Sequence, residues 1–261
     1  MKARDILASW YADDETLIFG HRGAMAYAPM NTIPAFELAY EQGADGIELD
    51  VHLSKDGELV IVHDFTVDHT TNGEGTVTEM TLAELKTLDA GSWFDAKFEG
   101  IRIPTLSEVF EAVGDKLYVN VEIKTLSQDG DGTEEAVAEC IRQHNLGERV
   151  LISSFNVSVL RRFRVISPNI PLARLLHHVS VFNLRPEDRL FYDWSEVEAF
   201  HPSEVLWHRR DPNRGSRPET AGNFVNCWTV NDVDVAKELV TKHAVNGIIT
   251  DKPDIMVKAL R

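Results

Sequence analysis

Cysteine is almost missing from this chain, with two residues in 261. Spacing that wide gives neither a disulfide framework nor a zinc pattern. Cys140 and Cys227 read as small buried hydrophobes of a reducing compartment. Long apolar runs are missing too. No stretch approaches the roughly 18 uninterrupted apolar residues of a spanning helix, and Met1-Lys2-Ala3-Arg4-Asp5-Ile6-Leu7 carries no long apolar segment or small-residue cleavage site. A soluble, cytoplasmic protein without stable membrane association is expected. Positive charge is scarce, since 26 Lys and Arg against 42 Asp and Glu leave a formal net charge of −16. Nucleic acid and anionic membranes are gripped through basic patches, so neither is an expected partner. An anionic substrate would have to be held by local cations. No internal repeat or low-complexity segment is present.

What is present is enough apolar material, 43% of the chain, to bury one large core, at a length where single α/β barrels are common. The most informative stretch is Gly46-Ile47-Glu48-Leu49-Asp50-Val51. Alternate side chains of a strand share a face, so Glu48 and Asp50 point one way and Ile47, Leu49 and Val51 the other. Two like charges on one face repel unless something positive lies between them, and a hard divalent cation is the simplest candidate. Downstream, Lys55-Asp56-Gly57 signals a turn before Glu58-Leu59-Val60-Ile61-Val62-His63, which reads as a hairpin. A two-residue turn sets His63 opposite Asp50, and a four-residue loop sets it opposite Glu48. Both registers bring the imidazole to the acidic face.

In chain order, a short helix over Ala3 to Tyr11 precedes Leu17-Ile18-Phe19, an apolar strand that ends in Gly20-His21-Arg22-Gly23. In a parallel barrel, the strand C-termini carry the chemistry. Asn31 or Thr32 can cap a helix running to Gln42, with Gly43 as its stop. Residues 64–100 are polar and turn-rich, with one helix at Thr81 to Leu88, and read as a small insertion on the rim. A helix near Ser107 to Val113 leads to Tyr118-Val119-Asn120-Val121-Glu122-Ile123-Lys124. There Asn120, Glu122 and Lys124 share a face, adding a third carboxylate and an ammonium. Further strands fit Val150–Ile152, Pro171–Leu176, Val197–Phe200, Phe224–Val230 and Gly247–Thr250, and helices fit Glu134–His144, Ser158–Ile166 and Val233–Lys242. The strands number eight if Leu59–Val62 only completes the hairpin. They number nine if it joins the barrel, and then Val197–Phe200 is the assignment to give up. His208 to Ala221 reads as a long rim loop.

Several motifs in fixed order now carry a resemblance. They are His21-Arg22-Gly23, Ala28-Pro29-Met30-Asn31-Thr32, Glu48-Leu49-Asp50, Lys55-Asp56-Gly57 with Val62-His63-Asp64, Glu122-Ile123-Lys124, Ser154-Phe155, Trp228-Thr229-Val230-Asn231 and Gly247-Ile248-Ile249-Thr250-Asp251. Together they resemble the glycerophosphodiester phosphodiesterase family along nearly the whole chain. The resemblance implies a TIM-type (β/α)8 barrel, residues 1–261 forming a single domain with the insertion at about 64–100. It implies metal-dependent hydrolysis of glycerophosphodiesters to glycerol 3-phosphate and an alcohol. Glu48, Asp50 and Glu122 would ligate Mg²⁺ or Ca²⁺, His21 and His63 would be the catalytic pair, and Arg22 and Lys124 would serve the phosphate. Where the family usually has Glu between Pro and Asn, this chain has Met30.

The residue chemistry agrees with that implication. Three carboxylates form a hard oxygen site, an arginine forks onto two phosphoryl oxygens, and two histidines can remove one proton and deliver another. Phe155 and Trp228 are read as walls of the substrate pocket. His52 shares the parity of Glu48 and Asp50 and reads as a rim hydrogen-bonding group. His177, His178 and His201 read as surface groups or as groups behind the ligands. Two alternatives stay open: a lysophospholipase D-like phosphodiesterase, which needs an apolar groove at the mouth, and a metal-binding barrel without turnover, which Met30 alone favours. The oligomeric state is left open.

Overall fold

The computed structural model describes residues 1–13, 15–177, 196–208 and 222–261. Nine strands form one sheet: β1 (Leu17–His21), β2 (Gly46–Leu53), β3 (Leu59–Ile61), β4 (Tyr118–Ile123), β5 (Val150–Ser154), β6 (Leu172–Leu176), β7 (Ala199–Pro202), β8 (Phe224–Cys227) and β9 (Gly247–Thr250). All but β3 run parallel. Because β1 pairs with both β2 and β9, those eight close into a barrel, and β3 lies antiparallel on β2 outside the ring. The expected (β/α)8 architecture is present. The strand expected at Val197–Phe200 is present, shifted to Ala199–Pro202, and is one of the eight.

Strands covered on both faces read as nearly continuous apolar runs, and the alternation decides which layer each residue enters. Ile47, Leu49, Val51, Val119, Val121 and Ile123 face outward and pack with Phe36, Val109, Val113 and Phe163 of the helices α2 (Ile33–Glu41), α4 (Leu106–Val113) and α6 (Val157–Ile166). Phe19, Leu151, Ala173, Ala199 and Ile249 cluster inside with Ile6, Leu7, Trp10 and Tyr11 of the N-terminal segment. The apolar residues of α1 (Ala3–Trp10) recur at helical spacing and seal the N-terminal ends of the strands. Trp10 stacks on Tyr118 at 4.2 Å and Tyr11 on Phe224 at 4.9 Å, at the first residues of β4 and β8. The remaining helices among the described residues are α3 (Leu82–Leu85), α5 (Thr133–Gln143), α7 (Val205–His208), α8 (Val233–His243) and α9 (Pro253–Leu260).

Three local readings change. The hairpin pairs Leu53 with Leu59 and His52 with Val60, and Ser54 N donates to Glu58 O at 2.8 Å, so the turn is Lys55-Asp56-Gly57, between the two-residue and four-residue readings. That register inverts the parity on which His63 was placed, because a shift of one exchanges the faces. His63 still reaches the acidic cluster, since β3 ends at Ile61 and the chain turns before His63. Neither Asn31 nor Thr32 caps α2 with its side chain: Thr32 Oγ1 donates to Pro29 O at 2.6 Å, and Asn31 is used elsewhere. Helix α9, opened by Pro253, was not anticipated. Residues 62–105 carry α3, capped by a Thr81–Glu84 box, and pack around Val60, Val62, Val67, Val77, Leu85, Ala90 and Ile103. His178 and residues 209–221 of the expected rim loop lie outside the described residues.

Candidate active site

The C-terminal end of β1 sets the geometry. After His21 the backbone turns through Arg22 and Gly23, both left-handed at φ 52° and 83°. Only glycine fits at 23, because a Cβ there would lie 2.5 Å from the Ala35 carbonyl carbon. Arg22 adopts its unfavourable conformation because its N–H donates to Glu48 Oε2 at 3.0 Å. Its side chain then runs inward, with Nε 3.3 Å from Asp50 Oδ2 and Nη1 3.3 Å from Met30 Sδ.

Glu48, Asp50 and Glu122 come from adjacent strands, with Asp50 in register beside Glu122. All three are buried, and each offers an oxygen within 4.8 Å of the others. Among the described residues, no other His, Cys, Asp and Glu side chains converge in this way. Asp50 accepts from Asn31 Nδ2 at 2.9 Å, and Lys124 Nζ lies 3.2 Å from Asp50 and 2.7 Å from Glu122. Burial works to raise the Asp50 carboxyl, but Lys124, Arg22 and His63 outweigh it and hold Asp50 below the usual range. Burial together with the charge of Asp50 pushes Glu48 well up, and Glu122 up to about 7 against the pull of Lys124. Lys124 itself is shifted upward: burial opposes its charge, and Asp50 and Glu122 more than restore it. Three carboxyl groups thus face two cations, and the upward shifts of Glu48 and Glu122 mark a site that favours further positive charge. An all-oxygen set of this kind fits a hard divalent ion.

Both histidines are clamped at Nδ1. His21 Nδ1 lies 2.7 Å from Asp251 Oδ1, and Asn231 Nδ2 holds the other oxygen of Asp251 at 2.6 Å. Burial of Asp251 is overridden by His21 and Asn231, which keep its carboxyl low. An ionised carboxylate only accepts, so the imidazole hydrogen sits on Nδ1 and Nε2 is left as an acceptor, 4.0 Å from Glu48 Oε2. Burial lowers the pKa of His21. His63 Nδ1 lies 2.6 Å from Asp64 Oδ1, and burial also lowers its pKa while the charge of Asp50 opposes. His52 is fully buried, with Nε2 3.4 Å from His63 O and its ring edge-on to Phe65, so it holds the rim and not the cluster.

Phe155 and Trp228 form an edge-to-face pair at 5.7 Å, with the His177 ring 5.9 Å from Trp228. His201 is not a surface group. It is fully buried on β7, its Nε2 3.0 Å from Asn226 Nδ2, and burial pushes its pKa down to about 3. The structure thus brings His21, Arg22, Glu48, Asp50, His63, Glu122 and Lys124 together and sets Phe155 and Trp228 side by side. Asp251, Asn231 and Asp64 have no assigned role in the sequence reading, and Asn31 is read there only as a helix cap. Each lies in a motif already singled out, and His63-Asp64 adjacency was the only local sign of a clamp.

Residues 21–255 match the glycerophosphoryl diester phosphodiesterase family. The chain is 42% identical over 248 residues to a glycerophosphodiester phosphodiesterase of Caldanaerobacter subterraneus subsp. tengcongensis, covering 95% of this chain and 98% of that one. It is 39% identical to another of that name from Bacillus subtilis, covering 94% and 86%. Among solved structures it is similar to an Oleispira antarctica phosphodiesterase in complex with the product sn-glycerol 3-phosphate, with a TM-score of 0.82, 29% identity and coverage of 95% and 98%. A glycerophosphodiester phosphodiesterase from Agrobacterium tumefaciens aligns with a TM-score of 0.75 at 31% identity, covering 93% and 99%.

Proposed function

The chain belongs to the glycerophosphoryl diester phosphodiesterase family, and on that premise we propose that His21 and His63 carry the protons, Glu48, Asp50 and Glu122 hold a divalent ion, and Arg22 and Lys124 hold the phosphate. The reaction is hydrolysis of a glycerophosphodiester to glycerol 3-phosphate and an alcohol. One observation supports the residue roles: three mutually close carboxylates lie with two carboxylate-clamped histidines and two cationic side chains at one barrel mouth. The sn-glycerol 3-phosphate product held by the Oleispira antarctica phosphodiesterase supports glycerol 3-phosphate as a product here.

Mg²⁺ or Ca²⁺ suits the donor set, and when bound it supplies Lewis acidity toward the phosphoryl oxygens. The protein's own groups do the rest. Arg22, rooted by Glu48, presents a planar fork to the phosphate, and Lys124 adds a point charge. Cleavage requires one proton taken from the attacking hydroxyl and one given to the leaving alkoxide. Two imidazoles whose Nδ1 atoms are fixed by Asp251 and Asp64 can divide these tasks through their Nε2 atoms. Phe155 and Trp228 wall the pocket and exclude water from one side.

The whole chain is read as one barrel domain with residues 64–100 as its rim insertion. Two free, buried cysteines support a reducing, cytoplasmic setting. No helix among the described residues is long and apolar enough to cross a membrane.

Release of glycerol 3-phosphate from glycerophosphocholine, measured with and without chelator, tests this assignment. Activity should vanish on chelation and return with Mg²⁺ or Ca²⁺, and Glu122→Gln should weaken the ion's Kd in calorimetric titration. Full activity after exhaustive chelation would overturn the metal reading. Leu126, 76% exposed, and Phe155, 42% exposed, sit on adjoining rim loops and favour a second reading in which a single acyl chain is accommodated. Lysophosphatidylcholine tested beside glycerophosphocholine decides between them.

A further inference from the structure

Two polar side chains inside the barrel take no part in the site as described. Asn120 is 1% exposed, and neither its amide nitrogen nor its oxygen has a hydrogen-bond partner among the described residues. Ser153 is fully buried with an equally unpartnered Oγ. Buried amides and hydroxyls are almost always hydrogen-bonded, so a lone unpaired carboxamide calls for an explanation. An interior packed only for stability would carry an apolar residue there.

Register shows what these groups adjoin. Glu48 on β2 pairs with His21 on one side and with Asn120 on the other. Glu122 on β4 pairs with Asp50 on one side and with Ser153 on the other. Register neighbours in a parallel sheet lie about 4.8 Å apart and point to the same face. Asn120 also precedes Glu122 by two residues on β4, so both side chains share the inner face. Asn120 thus adjoins one raised carboxylate across the sheet and the other along the strand. Beyond Ser153 the register continues to Ala173, whose methyl leaves room beside the hydroxyl.

We infer that Asn120, supported by Ser153, is a positioning residue for the carboxylate cluster, linked to Glu48 and Glu122 through ordered water. The chemistry suits the place. A neutral amide offers two hydrogens to carboxylates without adding to a cluster already rich in negative charge. A water molecule supplies the reach that the amide lacks, and it needs two to four polar partners, which Asn120, Ser153 and the two carboxylates provide. Ligand orientation by groups behind the ligands then determines how well the three oxygens meet an ion. This inference rests on the three-carboxylate reading above.

Calorimetric titration of the metal-free full chain with Mg²⁺ and Ca²⁺ separates the two. A wild-type protein that takes up neither ion sinks the three-carboxylate reading itself. With wild-type affinity in hand, Asn120→Leu keeps the branched shape, at a larger volume, and removes the polarity. It should weaken the ion's Kd by ~10–100-fold while the metal-free protein melts no lower than wild type. Asn120→Ser, which leaves room for another water, should recover affinity to within a few-fold, and Ser153→Ala should show a smaller loss than Asn120→Leu. A folded Asn120→Leu protein with wild-type affinity overturns the role. So does an Asn120→Ser protein as impaired as Asn120→Leu, since packing would then explain both. Should Asn120→Leu fail to fold, a high-resolution crystal structure of the metal-bound wild type decides. Water bridging the Asn120 amide to Glu48 or Glu122 supports the inference, and its absence rejects it.

Discussion

At the N-terminal ends of the strands, Trp10 and Tyr11 lie stacked on Tyr118 and Phe224, while at the C-terminal ends the buried Asp50 and Glu122 crowd beside the half-buried His21 and Asp251. One inward row of β4 spans both, running from Tyr118 through Asn120 to Glu122. The aromatic floor buries ~150–250 Å² per ring, worth at most ~4–6 kcal/mol each at the usual coefficient. The mouth runs the other way, because burying an ionised group costs several kcal/mol even after relaxation, and two of its three carboxylates are pushed upward as a result. The comparison teaches a division of labour within one ring of strands. Stability accumulates at one end and offsets a deliberately uncomfortable charge cluster at the other.

The comparison can be broken from either side. The largest effect is expected at the mouth, where His21→Ala or His63→Ala should lower kcat by ~10²–10⁴-fold with melting temperature and ion affinity near wild type. Near-normal turnover in either variant would remove that histidine from the reaction. At the floor, Trp10→Ala should cost ~3–5 kcal/mol of stability in urea unfolding. Turnover per folded molecule should stay close to wild type, and a parallel collapse of kcat would show that the two ends are not separable.

Between the ends runs a chain from His201 through Asn226 to Tyr11, whose hydroxyl donates to Asn226 Oδ1 at 2.8 Å. The fold holds His201 neutral, with a pKa depressed from 6.5 to about 3 by burial. A depressed histidine contributes stability that is present above its unfolded pKa and lost as pH falls toward the folded one. Between pH 6.5 and 4 that loss is on the order of 3 kcal/mol. His201→Gln should therefore show a shallower decline of unfolding free energy over this window. Parallel pH profiles for variant and wild type would show that His201 is not the group responsible.

The smallest effect concerns Met30. Its thioether receives a guanidinium N–H of Arg22, a contact in which a carboxylate would be a far stronger acceptor. Met30→Glu should raise kcat/KM or ion affinity by up to ~10-fold. No change in either would mean that Met30 only packs beneath the rim, and activity confined to the Glu variant would mean that the native chain binds without turnover.

Much of this contrast could be read from the residues. Glu48 and Asp50 declared a charged face by alternation, and Glu122 with Lys124 repeated the pattern on β4. The placement of His63 relied on hairpin parity and met a turn of intermediate length, so its proximity to Asp50 comes from the bend after Ile61. Asn31 looked like a helix cap because Asn after a loop so often is one. Here the tight Arg22 turn brings its amide to Asp50 instead. His201 read as a surface group or one behind the ligands, because a histidine in a short apolar run carries no sign of the Asn226 partner that lets it be buried. Asp251 could not be assigned as the clamp on His21, since nothing local connects the last strand with the first.

That last connection has a consequence for how the molecule is made. β1 is synthesised early, yet one of its edges pairs only with β9, Leu17 lying beside Gly247. A nascent chain that has reached α5 already contains Glu48, Asp50, Glu122, Lys124 and both histidines. It still lacks Asp251, and so the carboxylate that fixes the tautomer and aim of His21. Until the ring closes, β1 also presents a row of unpaired backbone groups, the kind of edge that invites mispairing during synthesis. The contact that orients His21 therefore arrives only with the residue after β9, and a partly made or clipped chain holds the ingredients of the cluster without that orientation.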